Sequence, residues 1–374
     1  MTAIQPVLER AVAAGDLPYV VAMAARSDRI LFQGACGAEA DTVFRIYSMT
    51  KAIGALAAML LIDRGQLSLD TPVAELLPEW DDLQVLEGFD GDVPRLRRPR
   101  TVATVRHLAT HTSGLEYDHW CPPALRYAQL TGTPLPPSGR MESLRFPLMF
   151  DPGTRWGYGM STDWLGRVVE AVDGRRIDRF CRDEIFAPLG LQDTRFEPDG
   201  LAHRLRPVFR RSRDGGLREV AIAPPAQPEF YGMGHALYST AADYLRFLRL
   251  ILNRGTLDGT RLLSPAAVTA LCADQMRGLA VPPMRSVMPQ VSADVELFPG
   301  MRITHGFAFP RYEAAVPGRR GAGSLGWAGI CNTHYWIDPG RNVAAVLMTQ
   351  LLPFAEPRML RVYDAYERAV YAAL

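Results

Sequence analysis

Apolar positions change period twice within the first third of the chain. Residues 3 to 14 carry them at helical spacing, and "YVVAMAARSDRILFQGAC" follows as two β-rich runs around a turn at Ser27-Asp28, which predicts a helix packed on a hairpin. From Ser48 to Arg64 apolar residues cover every face, so this stretch reads as a buried helix ending at Gly65. Between about 66 and 290 the pattern is helices joined by long Pro/Gly-rich loops, including "TVRHLATHTSGL", "STDWLGRVVEAV", "RIDRFCRDEIFAPLGL" and "STAADYLRFLRLILNRG". Strand patterns return in "ITHGFAFP", "THYWIDP" and "NVAAVLMTQ", and a helix over 356–373 closes the chain. Strands at both ends of a helical middle predict an α/β architecture. Residues 1–65 and 290–374 form one discontinuous domain, 66–289 an inserted, mostly helical one, and the site lies between them.

Composition narrows the class. With 48% hydrophobic residues, 22% charged and a net charge of +1, there is material for a large core and no basic excess to recruit nucleic acid. The start, "MTAIQPVLERAVAAGDLPYVVAMAA", lacks the order of a secretory signal, and its apolar run falls far short of the roughly 20 residues that span a bilayer. A cytoplasmic protein with no membrane partner is expected. Cys36, Cys121, Cys181, Cys272 and Cys331 are odd in number and contain no CxxC pair, which favours free, packed thiols. Nothing in the pattern fixes an oligomeric state.

Charge chemistry changes the picture more. Of 41 basic residues 40 are arginine, and Lys51, in "SMTKAIG", is the one lysine. A guanidinium stays protonated in proteins, whereas a desolvated ammonium gives up its proton. Ser48 and Lys51 stand at i and i+3 at the start of the buried helix, on one face, beside free backbone N–H groups. An apolar helix behind Lys51 lowers its pKa from about 10.4 and makes it a base for the serine proton. The alternative is an N-capping serine and an incidental lysine. Tyr158, in "PGTRWGYGMSTDWLG", precedes a helix capped by Ser161 or Thr162. It reads either as a packed ring or as a second proton carrier, its phenol lowered by a cationic lysine. In "GAGSLGWAGICNTHYWIDP" the glycines permit close approach, as in an edge strand whose backbone donates an N–H to an oxyanion.

At these places, and in "TVRHLATHTSGL" and "LYSTAADYLRFLRLILNRGTLDG", the chain resembles the serine hydrolases of the class C β-lactamase and penicillin-binding-protein superfamily, and most of all the family VIII carboxylesterases. The resemblance runs over roughly residues 5 to 370 and implies a β-lactamase/DD-peptidase-like fold, an antiparallel sheet flanked by helices. It implies Ser48 as nucleophile, Lys51 as base and Tyr158 as proton carrier, with the backbone N–H groups of Ser48 and Ile330 as oxyanion hole. The third motif falls on Trp327, Ala328 and Gly329. Two departures stand out: Met160 replaces the second-motif asparagine and Trp327 the third-motif lysine of β-lactamases, and both resemble the esterase branch. Arg319 or Arg320 are candidates to replace the lost cation.

Three further patterns are read as structural. Ser324 in "AGSLG" lacks the first glycine of a nucleophile elbow. His107 and His111 have zinc-helix spacing without the adjacent glutamate or a third ligand, so no metal is expected. The serines of "HTSG" and "GMST" read as turn and capping residues. The expectation is hydrolysis of short-chain carboxylic esters through an acyl-enzyme on Ser48, with no cofactor and a small-molecule ester as partner. The alternatives are amide hydrolysis of a β-lactam or D-alanyl peptide, acyl transfer to a small alcohol or amine, and a silent binding protein, against which the intact Ser48, Lys51 and Tyr158 argue.

Overall fold

The computed structural model describes residues 3–223, 225 and 227–374. Its centre is a seven-stranded antiparallel sheet built from β1 (Val20–Ala25), β2 (Ile30–Cys36), β3 (Ile303–His305), β4 (Pro310–Tyr312), β5 (Ser324–Gly329), β6 (Thr333–Asp338) and β7 (Val343–Met348). The order across the sheet is β3-β4-β5-β6-β7-β1-β2, so the two ends of the chain meet where β7 pairs with β1, Val21 opposite Met348. Every residue of β1 is buried, and its period of two divides it between two cores. Val21, Met23 and Ala25 face one, Val20, Ala22 and Ala24 the other.

The second core is closed by α1 (Gln5–Ala13) and α5 (Pro357–Ala372), the terminal helices expected from the pattern. The first is larger and contains α2 (Thr50–Asp63), α3 (Ser161–Asp173) and α4 (Ala241–Leu252). All residues of α2 from Thr50 to Leu61 are buried, as its all-round apolar sequence requires. The helical middle is not separate from the sheet. Tyr244 of α4 lies 5.2 Å, ring to ring, from Tyr335 of β6, and one continuous core joins α3, α2, α4 and the sheet.

Three local expectations are corrected. The segment expected to be helices and loops also holds hairpins, Val85–Asp90 with Val93–Arg97, Val208–Arg211 with Leu217–Val220 and the short Thr256–Leu257 with Thr260–Arg261. Helix α3 has no side-chain cap, because Ser161 lies inside its first turn and its Oγ bonds Ser113 Oγ at 2.8 Å. Strand β5 is not at the sheet edge, since β4 lies outside it. However, β4 pairs only with Ser324 and Leu325, so Gly326 to Gly329 are ladder-bonded on one side alone.

Candidate active site

The chain enters the site through a two-residue pairing of Phe44–Arg45 with Tyr238–Ser239, then turns sharply at Tyr47, whose φ of +43° is unfavourable for any residue but glycine. Ser48 follows in a single 3₁₀ turn that leads into α2. Gly329, at the end of β5, comes so close to this turn that a Cβ there would lie 2.4 Å from the Ile46 carbonyl oxygen. That contact seats Ile330 beside Ser48. Both line a cavity of about 220 Å³ together with Tyr117, Trp120, Tyr158 and Met288.

Lys51 is buried in the first turn of α2. Its Nζ donates to Gly234 O at 2.7 Å, Tyr117 OH at 3.1 Å and Ser48 Oγ at 3.2 Å. No carboxylate of the described residues lies within ion-pairing distance of it. Burial therefore dominates and pushes the ammonium down to about 7, with Asp163 acting the other way. A lysine in this state exchanges its proton at neutral pH.

Tyr158 brings its ring 4.9 Å from Lys51 Nζ and accepts a 2.8 Å hydrogen bond from Trp327 Nε1. Burial raises its phenol well above the usual range, and bonding from Ser48 and Trp327 offsets only part of this. The expected lowering by a lysine cation is thus reversed. Desolvation outweighs the hydrogen bonds from Ser48 and Trp327, so the phenol stays protonated and is suited to donating. Trp327 thereby spends its one side-chain N–H on Tyr158.

Other expected residues fall elsewhere. Met160 is 1% exposed and packed in the main core, away from the cavity lining. Ala328 is buried beside Tyr158 in a small cluster with Trp156 and Met276. Arg319 and Arg320 are held by Glu367, with Asp364 also on Arg319, so neither replaces the missing cation. His107 Nδ1 accepts from Thr104 N at 3.1 Å, while His111 turns its ring to Tyr158, 5.1 Å between centroids. The described residues contain no cluster able to hold a metal. Ser324 is fully buried at the start of β5.

Sequence reasoning missed two partners of Lys51. Tyr117 carried no signal beyond being a tyrosine near the "HTSG" turn. Gly234 and the buried Asp163 that holds it had one, the paired glycines of "YGMGH".

A sheet of this order, with a serine and a lysine on the first turns of a buried helix, defines a serine-nucleophile enzyme of the hydrolase and acyltransferase class. A family model described as Beta-lactamase matches residues 4–368, and the chain belongs to that family. It is 32% identical over 346 residues to monacolin J acid methylbutanoyltransferase of Aspergillus terreus, covering 89% of this chain and 83% of the relative. It is 30% identical over 345 residues to lovastatin esterase of Penicillium rubens, covering 88% and 85%. Among solved structures, unliganded simvastatin synthase from Aspergillus terreus superposes with a TM-score of 0.84 at 27% identity, covering 99% of this chain and 98% of that one. None of the described helices is long and apolar enough to cross a membrane.

Proposed function

We propose that the protein moves a short acyl group from an ester through a covalent acyl-enzyme on Ser48. The observation that carries this is Lys51, buried without a carboxylate partner and 3.2 Å from Ser48 Oγ. Neutral Lys51 takes the hydroxyl proton as Oγ attacks the carbonyl. The N–H groups of Ser48 and Ile330 receive the oxyanion, the Tyr158 hydroxyl protonates the departing alkoxide, and the proton that Lys51 took returns to the Tyr158 oxygen, so that both groups are neutral again. Water then releases the acid. A second reading, transfer to a small alcohol, is supported by an adjoining chamber of about 340 Å³ that shares Tyr47, Pro137 and His235 with the Ser48 cavity. Both an acyltransferase and an esterase among the relatives agree with this pairing.

The donor is proposed to be a short-chain carboxylic ester. Apolar lining from Trp120, Leu135, Met288 and Val291 gains about 0.8 kcal/mol per buried methylene until the cavity ends. A β-lactam carboxylate would find Arg319 and Arg320 already engaged. The test is kcat/KM for nitrophenyl esters of two to six acyl carbons beside a chromogenic cephalosporin, with and without added alcohol, and with Ser48→Ala as blank. Ester turnover far above cephalosporin turnover is expected. Cephalosporin turnover equal to the best ester would overturn the ester reading, and an acylated product appearing only with alcohol would make the enzyme a transferase.

A further inference from the structure

Asp163 is 1% exposed, at the third position of α3, and takes no direct part in the acyl transfer outlined above. Its Oδ1 accepts from Gly234 N at 2.7 Å, and its Oδ2 has no hydrogen-bond partner among the described residues. The "YGMGH" segment wraps around the carboxylate. A Cβ on Gly234 would meet Oδ2 at 2.7 Å, and one on Gly232 would meet Oδ1 at the same distance. Neither glycine has a positive φ, so what the two positions require is room, at Gly234 for this side chain alone and at Gly232 for it together with the His235 ring. The same Gly234 turns its carbonyl to Lys51 Nζ at 2.7 Å. One residue therefore has the carboxylate on its N–H and the lysine on its C=O.

We propose that Asp163 is a positioning residue that clamps the Gly234 carbonyl onto Lys51 and, as the buried charge behind it, sets the pH at which Lys51 releases its proton. The proposal rests on Lys51 being the base of the acyl transfer. The other ionisable groups facing this region are Tyr117 and Tyr158, both kept neutral by burial, His111, held neutral by burial with His305 and Lys51 adding to it, His235, and, beyond Tyr117 in the cavity lining, Asp118 and His119. His235 Nδ1 is 3.5 Å from Asp163 Oδ1 without a hydrogen bond. Asp163 is thus the nearby group that opposes the effect of burial on the lysine. Without its charge the protonated lysine is less stable, and its midpoint falls.

Because the chain has one lysine, selective ¹³C or ¹⁵N lysine labelling gives a single side-chain NMR signal that needs no assignment. Its titration is compared in the wild type, Asp163→Asn and Asp163→Ser, the smaller neutral variant serving if the asparagine fails to fold. The wild-type midpoint is expected near neutrality. In the neutral variants it should fall by about one pH unit or more, in line with the 1 to 3 units typical of a close opposite charge. The acid limb of kcat/KM should move with it, so that the variants keep a larger fraction of their plateau activity at pH 5.5. Asp163→Glu, which keeps the charge but displaces Gly234, should hold the midpoint and lower kcat. An unmoved midpoint in a folded neutral variant overturns the proposal. A wild-type midpoint near 10 overturns instead the reading of Lys51 as base.

Discussion

Two buried cations in this protein are treated in opposite ways. The guanidinium of Arg320, a residue 1% exposed, gives two hydrogen bonds to Glu367, at 2.8 and 2.9 Å, and one to Tyr363 at 2.8 Å, and lies 4.9 Å from the Tyr312 ring. Burial opposes its charge, but Tyr363 and Glu367 override it and hold the guanidinium well above its usual range. Lys51, 5% exposed, donates only to neutral oxygens among the described residues and drops to about 7. Equal burial yields a permanent charge under α5 and a dischargeable one on α2. That contrast accounts for a chain written in arginine except at one position, since an arginine cannot do what the second site demands.

The contrast is broken most severely at the lysine. Lys51→Met should cut kcat about 10³-fold or more, within the range of a lost general base, while raising thermal stability. The gain depends on pH with a definite sign. Lys51 moves from 10.5 unfolded to about 7 folded. Burying its charge therefore costs most below pH 7, and the cost fades as pH climbs toward 10.5. Melting curves at pH 6 and pH 10 should show the larger stabilisation at pH 6.

Removing the counter-charge of the other cation should have the reverse signature. Glu367→Gln leaves Arg319 and Arg320 short of their carboxylate and should cost about 3–5 kcal/mol in denaturant unfolding, with kcat of the folded enzyme unchanged. Smaller effects sharpen the division of labour beside Lys51. Tyr158→Phe should lower kcat on alkyl esters about 10²-fold and on phenyl esters less, because a phenolate leaves with little protonation. If Tyr117→Phe has the larger effect, the hydroxyl bonded to Lys51 is the proton carrier and Tyr158 is reassigned to packing. Trp327→Phe, which removes the bond to the Tyr158 hydroxyl and trims the ring packed against it, should cost a few-fold in kcat, about 1 kcal/mol.

What the sequence disclosed was what short-range pattern encodes. Helix α2, its end at Gly65, the first hairpin and the terminal helices follow from apolar period and stop signals, and Ser48 and Lys51 share one turn. The hairpins at 85–97 and 208–220 were missed because few of their residues are buried, which leaves little apolar alternation to read. Met160 and the two arginines were misplaced for another reason. Their neighbours come from remote segments, Glu367 lying 47 residues beyond Arg320. Asp163 and Gly234 are 71 residues apart, and only the glycine spacing hinted that something large approaches there. The direction of the Tyr158 shift depended on burial, which no local pattern reports.

The central claim is that Lys51 acts by giving up its proton, and Lys51→Arg tests it most directly because charge and bulk are kept while the proton is locked in place. With folding checked by circular dichroism and kcat measured on a nitrophenyl ester at pH 7 and pH 9, the variant should show about a thousandth of wild-type kcat or less at both. A folded arginine variant with a tenth of wild-type kcat would mean that the site needs only a positive charge beside Ser48.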